Sequence, residues 1–372
     1  MKNDSYAKSG VNYDLMDPFK RAAQKAARET DFNVAGQDFT ALEWTRGESA
    51  FVLRAPGSGF VIGHVEEGLG TKNLVADAMY ESTGRSHYDL VAQDTVAMIV
   101  NDLLTLGLAP LSVAMHLAVG SSDWFKDETR SNDLISGWRE ACHMAQCAWG
   151  GGETPTLKGI ITPGTCLLSG SAVGVGEEKR LFNPEKIRDG DVILLIESSG
   201  IHANGLTLAR QIAAELDEGY LTKLSDGRSY GETLLDPTHI YVLPILECLN
   251  AGIDIHYAVN ITGHGWAKLM RATQAFTYVI DALPEPKLIF PFLQKHGKLD
   301  DREAYKTLNM GAGYALYVPE NTVDEIRKTL ATYSEPYQFK VTVAGHIEKS
   351  EKKRVLINPL NISYDESDLA VR

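Results

Sequence analysis

Five hard-oxygen side chains stand where a divalent cation and a phosphate chain can be met together. Glu67 precedes the glycine turn Gly68-Leu69-Gly70-Thr71-Lys72; Asp94, Asn101 and Asp102 follow at spacings of seven and eight; Glu153 closes the run Gly150-Gly151-Gly152-Glu153-Thr154. Such groups suit magnesium, which takes oxygen ligands and shares them with substrate phosphates. Taken singly, each also suits a helix cap or a solvated charge. Lys72, after two glycines and a threonine, brings an ammonium to a place where main-chain N–H groups can receive phosphate oxygens, or simply begins a helix as a surface lysine. His202 lies in the turn Ser198-Ser199-Gly200-Ile201-His202-Ala203-Asn204-Gly205. Its free pKa near neutrality fits a phosphate donor or proton shuttle, and the position equally fits a turn histidine bonded to local backbone. Two weaker glycine turns are Asn260-Ile261-Thr262-Gly263-His264-Gly265-Trp266 and Asn309-Met310-Gly311-Ala312-Gly313.

The elements that must hold these residues alternate between strand and helix. A strand from Phe60 to Val65 ends at the first glycine turn, and a helix resumes over Asn73 to Glu81. From Asp89 to Leu106 the apolar residues recur at helical spacing, which puts Asp94 and Asn101 on one helix face. A helix over Asp133 to Ala148 is broken by the glycine triplet, and Cys166 to Gly174 reads as a strand. The pattern restarts with the strand Val192 to Ile196, the turn carrying His202 and a helix through Leu216, an arrangement that suits an anion at the helix start. Phe276 to Asp281, Gly313 to Val318 and Phe339 to Ile347 read as strands; Pro291 to Lys295 and Asn321 to Thr332 read as helices. Asp17 and Pro18 signal an early surface helix over Phe19 to Glu29.

Composition narrows the class. A chain of 372 residues is long enough for two domains with separate cores, and charged residues cluster at a boundary near Val175 to Asp189. An apolar content of 44% with 23% charged residues argues against wholesale disorder. Acidic residues outnumber basic ones by 49 to 36, and the net charge of −13 disfavours nucleic acid. Cys142, Cys147, Cys166 and Cys248 form no Cys-x-x-Cys pair and read as reduced thiols. The opening MKNDSYAKSG lacks the apolar core of a secretory signal, so the expected location is cytoplasmic. Leu103 to Gly120 carries no formal charge over eighteen residues, yet Gly107 and Pro110 interrupt it; it reads as core, with no membrane association. The P-loop, dinucleotide-binding and His-Glu-x-x-His signatures are missing, so a nucleotide site has to be built another way.

In order and spacing these segments resemble the aminoimidazole ribonucleotide synthetase family, also called phosphoribosylformylglycinamidine cyclo-ligase, over nearly the whole chain. The likeness rests on Tyr6 to Val11, Gly68 to Lys72, Asp94 with Val100-Asn101-Asp102, Gly151-Gly152-Glu153-Thr154, the Ser198 to Gly205 turn, Leu234 to Tyr241, Ile261-Thr262-Gly263 and Asn309-Met310-Gly311. It implies a two-domain α/β fold (α+β). Residues 1–180 would bind ATP and pair their sheet with a partner subunit's in a barrel-like homodimer core; residues 181–372 would form a second α/β domain. It implies an ATP-dependent ring closure of formylglycinamidine ribonucleotide through phosphorylation of its amide oxygen, with ATP and Mg2+ as cofactors. The implied metal ligands are Glu67, Asp94, Asp102 and Glu153. Gly68, Gly70, Thr71, Lys72, Asp94, Asn101, Gly151 and Gly152 would hold ATP, and His202, Asn204 and Lys72 would serve the reaction. Departures are Glu67 for an aspartate, Met115, Ser121, Thr156 and Leu167 at usually polar or charged positions, and Asn260 and His264 for a histidine and a glycine. They leave room for a paralogue that activates another amide or carboxylate.

Overall fold

The alternating pattern resolves into two sheets, each flanked by helices, in a computed structural model that describes residues 13–332 and 340–369. The first sheet takes strands β1 (Thr40–Ala41), β2 (Phe51–Arg54), β3 (Phe60–Gly68), β4 (Ala109–Val119), β5 (Ala148–Glu153) and β6 (Cys166–Glu177), in the spatial order β1-β2-β3-β6-β4-β5. All its pairings are antiparallel except β4 with β5. Burial alternates along β6: Cys166, Leu168, Gly170, Ala172 and Gly174 face inward, and the residues between them are half or fully exposed. That period of two is the signature of a sheet with one packed face.

The packed face is covered by helices α2 (Lys72–Thr83), α3 (Tyr88–Leu104) and α4 (Glu128–Met144); a further helix, α1 (Tyr13–Arg28), precedes the sheet. At Gly170 a Cβ would stand 2.3 Å from the Ala114 carbonyl oxygen of the neighbouring strand β4 and 2.9 Å from Ile99 Cδ1 of α3. The second sheet takes β7 (Val192–Glu197), β8 (Tyr257–Asn260), β9 (Phe276–Ile280), β10 (Ala312–Val318), β11 (Val341–Lys349), β12 (Arg354–Ile357) and β13 (Ile362–Asp365), in the order β13-β12-β9-β11-β7-β10-β8. Only β9 with β12 is parallel. Its helices are α5 (Leu206–Glu215), α6 (Tyr230–Leu234), α7 (Val242–Asn250), α8 (Ile289–Gly297), α9 (Asp301–Thr307) and α10 (Val323–Thr332).

Helix α3 joins the two halves. It packs on β3, β4 and β6 on one side and on α7 and β8 on the other, so it is buried nearly all round. A helix in that position must find partners for every polar side chain it carries. Asp94, Asn101 and Asp102 are therefore structural commitments before they are chemical ones.

Several elements differ from the sequence reading in extent. Helix α1 starts at Tyr13, so Pro18 lies inside it rather than in its first turn. Helix α4 spans Glu128–Met144, capped by Asp127, whose carboxylate accepts from the Arg130 N–H at 3.0 Å; it ends four residues before the expected Ala148. The glycine triplet is not a break but edge strand β5, because β4 supplies a parallel partner and the absence of side chains allows close approach: a Cβ on Gly152 would meet the Met115 carbonyl oxygen at 1.9 Å. Tyr6 to Val11 lies outside the described residues. All four cysteines are free. Leu103 to Gly120 divides into the end of α3, a turn and β4; among the described residues no helix is long and apolar enough to cross a membrane.

Candidate active site

Three of the glycine turns read from the sequence open onto one cleft of about 740 Å³. The end of β3 and the turn into α2 bring Glu67, Gly68, Gly70 and Thr71; α3 brings Met98 and Asp102; the turn before α5 brings Ala203, Asn204 and Gly205. The third turn brings Thr262, Gly263 and His264, followed by Lys268 and Arg271. Helix α1 contributes Lys20 and Gln24 to the rim. Helices α2 and α5 both start at this cleft, at Thr71 and at Gly205, and neither start is capped by a side-chain hydrogen bond. Uncapped first-turn N–H groups carry the positive end of the helix dipole, so two such starts facing one cavity favour an anion with several charged oxygens.

Charge inside the cleft is mixed. Burial raises the Glu67 carboxyl to about 7, reinforced by the negative charge of Asp102 and opposed by Lys268. Burial lowers the Lys268 ammonium to about 8 against the pull of Asp102. Lys268 donates to Thr262 Oγ1 at 2.6 Å, and Asp102 Oδ1 accepts from the Asn260 side-chain amide at 2.9 Å. Arg271 is oriented by the main-chain oxygen of Gly47 at 2.7 Å, by Ser49 Oγ at 2.8 Å and by Glu48 at 3.6 Å. Two carboxylates that repel each other in a half-buried cleft form a donor set that a divalent cation relieves.

Behind the cleft lies a second layer. Lys72 and Asp94, both with no solvent exposure, form an ion pair with oxygens at 2.8 and 2.9 Å from the ammonium. The same ammonium donates to the main-chain oxygen of Asp236 at 2.7 Å. Asp94 also accepts from the Thr238 N–H at 2.8 Å and from the Thr238 hydroxyl. Complete burial pushes the Asp94 carboxyl above its ordinary value, and Lys72 and Thr238 pull against that push. Two turns along the helix, Asn101 donates to the main-chain oxygen of His239 at 2.8 Å and accepts from the Tyr241 N–H at 3.0 Å. Asp94 and Asn101 do share a helix face, and what that face holds is the segment 238–241 of the second half.

His202 belongs to this layer too. Its φ of 58° is left-handed, it is 2% exposed, and its Nε2 accepts from the Ser199 N–H at 3.2 Å. Burial holds its pKa well below the ordinary histidine value, with His239 and Lys72 adding to the effect. A neutral imidazole bonded to its own turn shapes that turn; Asn204, two residues on, is the side chain that lines the cleft.

The four carboxylates named from the sequence do not meet. Glu67 and Asp102 share the cleft, Asp94 is engaged behind it, and Glu153 stands exposed with Gly151 and Gly152 on edge strand β5, outside the cleft lining. Among the described residues no three His, Cys, Asp or Glu side chains cluster as a metal cage. Glu67 and Asp102 fit a magnesium that draws its other ligands from phosphates and water; Asp94, consumed by Lys72 and Thr238, does not. Sequence reasoning missed Lys268, Arg271 and Glu48. The signal available for the first two was a pair of basic residues following the third glycine turn.

The departures noted in the sequence divide in the same way. Met115 underlies Gly152, Ser121 caps a short 3-10 turn, Thr156 bonds Ser122 at 2.8 Å and Leu167 is exposed; none lines the cleft. His264 does line it, and Asn260 anchors Asp102 within it.

Comparison with known proteins gives two matching family descriptions: "AIR synthase related protein, N-terminal domain" over residues 47–176, and "AIR synthase related protein, C-terminal domain" over residues 188–358. The phosphoribosylformylglycinamidine cyclo-ligase of Carboxydothermus hydrogenoformans is 35% identical over 368 residues, covering 96% of this chain and all of that one. Among solved structures, a HypE–HypF complex aligns over 87% of this chain and 94% of its own, with a TM-score of 0.61 at 16% identity. HypE in complex with ATP aligns over 84% and 85% respectively, with a TM-score of 0.59 at 17% identity.

Two measurements check this layering. Lys72→Met leaves a buried carboxylate without its cation and costs about 3–5 kcal/mol in urea unfolding, part of which Asp94→Leu restores when added. Because the folded-state pKa of Glu67 lies above its unfolded value, its contribution to stability is full at low pH and is lost as pH rises toward about 7. Glu67→Gln therefore flattens the fall in thermal stability between about pH 5 and 7, measured by calorimetry across that range.

Proposed function

Because the chain belongs to the AIR synthase related family, in both halves and at 35% identity to a cyclo-ligase spanning almost its full length, we propose that it closes the imidazole ring of aminoimidazole ribonucleotide from formylglycinamidine ribonucleotide and ATP. The observation that carries this reading is the convergence of two uncapped helix starts with Lys268 and Arg271 on one cleft. Both substrates are polyanions. A chain with a net charge of −13 repels them everywhere except where cations and helix N-termini are gathered. The ATP found with HypE, a neighbour of the same fold, is consistent with a nucleotide in this cleft.

In this reaction the γ-phosphoryl group passes to the formyl amide oxygen, so that oxygen leaves as phosphate when the internal nitrogen attacks its carbon. Expelling phosphate in place of hydroxide lowers the barrier to ring closure. Gly68, Gly70 and Thr71 let the backbone approach the phosphate chain, and the N–H groups at the starts of α2 and α5 receive its oxygens. Glu67 and Asp102 would hold a magnesium ion, which would supply neutralisation of charge on the transferring group. Asn204 hydrogen-bonds the acceptor, Lys268 and Arg271 face its anionic groups, and His202, Lys72, Asp94 and Asn101 position the walls. Residues 1–180 form the ATP-binding and dimerising half and residues 181–372 the second domain, in a cytoplasmic enzyme.

A homodimer fits the free face of the first sheet. Leu53, Ile62 and Val175 lie in register across β2, β3 and β6 on the side away from α3, and Leu111 and Leu167 on the same sheet are 55% and 46% exposed. An apolar row on the sheet face that α2, α3 and α4 do not cover is a surface that a second copy of the sheet fits.

Purified protein given formylglycinamidine ribonucleotide, ATP and magnesium should form aminoimidazole ribonucleotide with one ADP and one phosphate for each ring closed. Binding of ATP without any aminoimidazole product rules the assignment out in favour of a paralogue acting on another amide or carboxylate. Light scattering in solution is expected to give twice the 40.8 kDa chain mass, and Ile62→Glu to return it to the single-chain value.

A further inference from the structure

The C-terminus of α4 carries a pair of thiols outside the cleft. Helix α4 ends in a Schellman arrangement: Gln146, at a left-handed φ of 52°, donates its N–H to the His143 carbonyl at 3.1 Å, and Cys147 donates its N–H to the Cys142 carbonyl at 3.0 Å. In this motif the second bond closes a ring that sets the side chains of its two end residues against each other, a contact ordinarily made by two apolar groups. Here both end residues are cysteines, and both are free. The ring closed by the Cys147 N–H and the Cys142 carbonyl brings the two cysteine side chains together at the end of the helix.

The two differ in access and reactivity. Cys142 is 4% exposed and packed in the core, whereas Cys147 is half-buried at the surface end of the turn. The neighbouring Cys142 holds the Cys147 thiol below its ordinary value, and Cys147 together with burial raises that of Cys142. A thiolate that is both accessible and stabilised is the attacking partner in thiol–disulfide exchange, and a second thiol in contact with it is the resolving partner. Cys166 and Cys248 are both buried.

We propose that Cys142 and Cys147 form a thiol–disulfide couple that exchanges with small-molecule disulfides, Cys147 attacking and Cys142 resolving. Cys147 first gives up its proton and, as thiolate, attacks one sulfur of the small disulfide; that S–S bond breaks, one small thiolate leaves and takes up the released proton, and a mixed disulfide remains. Cys142 then loses its proton and attacks the Cys147 sulfur, expelling the second small thiol. The two protein thiols are oxidised by two electrons, and the small disulfide is reduced to two thiols. The bridge ties the helix to the residue immediately before β5, and so restrains the edge strand bearing Gly151, Gly152 and Glu153.

The test uses the full-length chain in glutathione disulfide under native conditions, quenched with acid and digested with trypsin without reduction. Both cysteines fall in the tryptic peptide 140–158, which contains no other. The expected peptide is lighter by two hydrogens and carries no glutathione. Cys142→Ser should trap one glutathione on Cys147, and Cys147→Ser should leave Cys142 unmodified. Retention of glutathione on Cys147 in the unsubstituted chain, or two thiols still open to alkylation, overturns the couple. Equal glutathione uptake by both variants overturns the assigned order. Amide exchange across 148–153 should slow at least about threefold on oxidation, and unchanged exchange overturns the restraint on β5.

Discussion

The buried pair Lys72–Asp94 is the constraint on which the rest of the molecule depends. Neither charge reaches water, so each must be met inside the protein, and the partners come from both halves of the chain. Such a pair contributes little by its Coulomb attraction alone, because desolvation offsets most of it. Its effect is on geometry. An ammonium with one carboxylate and one carbonyl, and a carboxylate with an ammonium and both Thr238 donors, admit very few arrangements. The start of α2, the middle of α3 and the segment 236–238 are thereby held in one relation, and the cleft is the space left in front of them.

This separation of layers explains how a site with repelling carboxylates persists. In the front layer burial raises the Glu67 carboxyl and lowers the Lys268 ammonium, with the negative charge of Asp102 beside both. The back layer carries the polar ties to the backbone of the second half, including Asn101 to residues 239 and 241. A front layer can stay under-compensated only where the walls behind it do not yield.

Much of the fold was legible because it follows from local pattern. Alternation marked β6, helical spacing marked α3, and the strand–glycine–helix sequence marked the cleft side of β3 and of β7. The spacing of seven between Asp94 and Asn101 correctly put them on one face. What the sequence could not convey is what that face meets: a helix surrounded on both sides turns ligand-like residues into anchors, and burial is a property of the assembled chain. The run that ends at Glu153 shows the opposite case, for its glycines read as a helix break until β4 offers them a parallel partner. Lys268 was invisible for a third reason: it sits on a short 3-10 segment with no strong periodicity, and only tertiary contact aims it at Asp102. His202 shows that an ionisable residue between glycines can be consumed by its own turn.

Synthesis on the ribosome meets the consequence of this clamp directly. Asp94 and the Thr238 donors it needs are separated by 144 residues, which take roughly 7–30 s to translate at about 5–20 residues per second. Throughout that interval the nascent first half can close its sheet, yet its central helix waits with polar groups unmet and an apolar flank uncovered. The tie between the halves is therefore a late event in synthesis: it waits on the segment 236–241 and cannot form while the first half alone has been made.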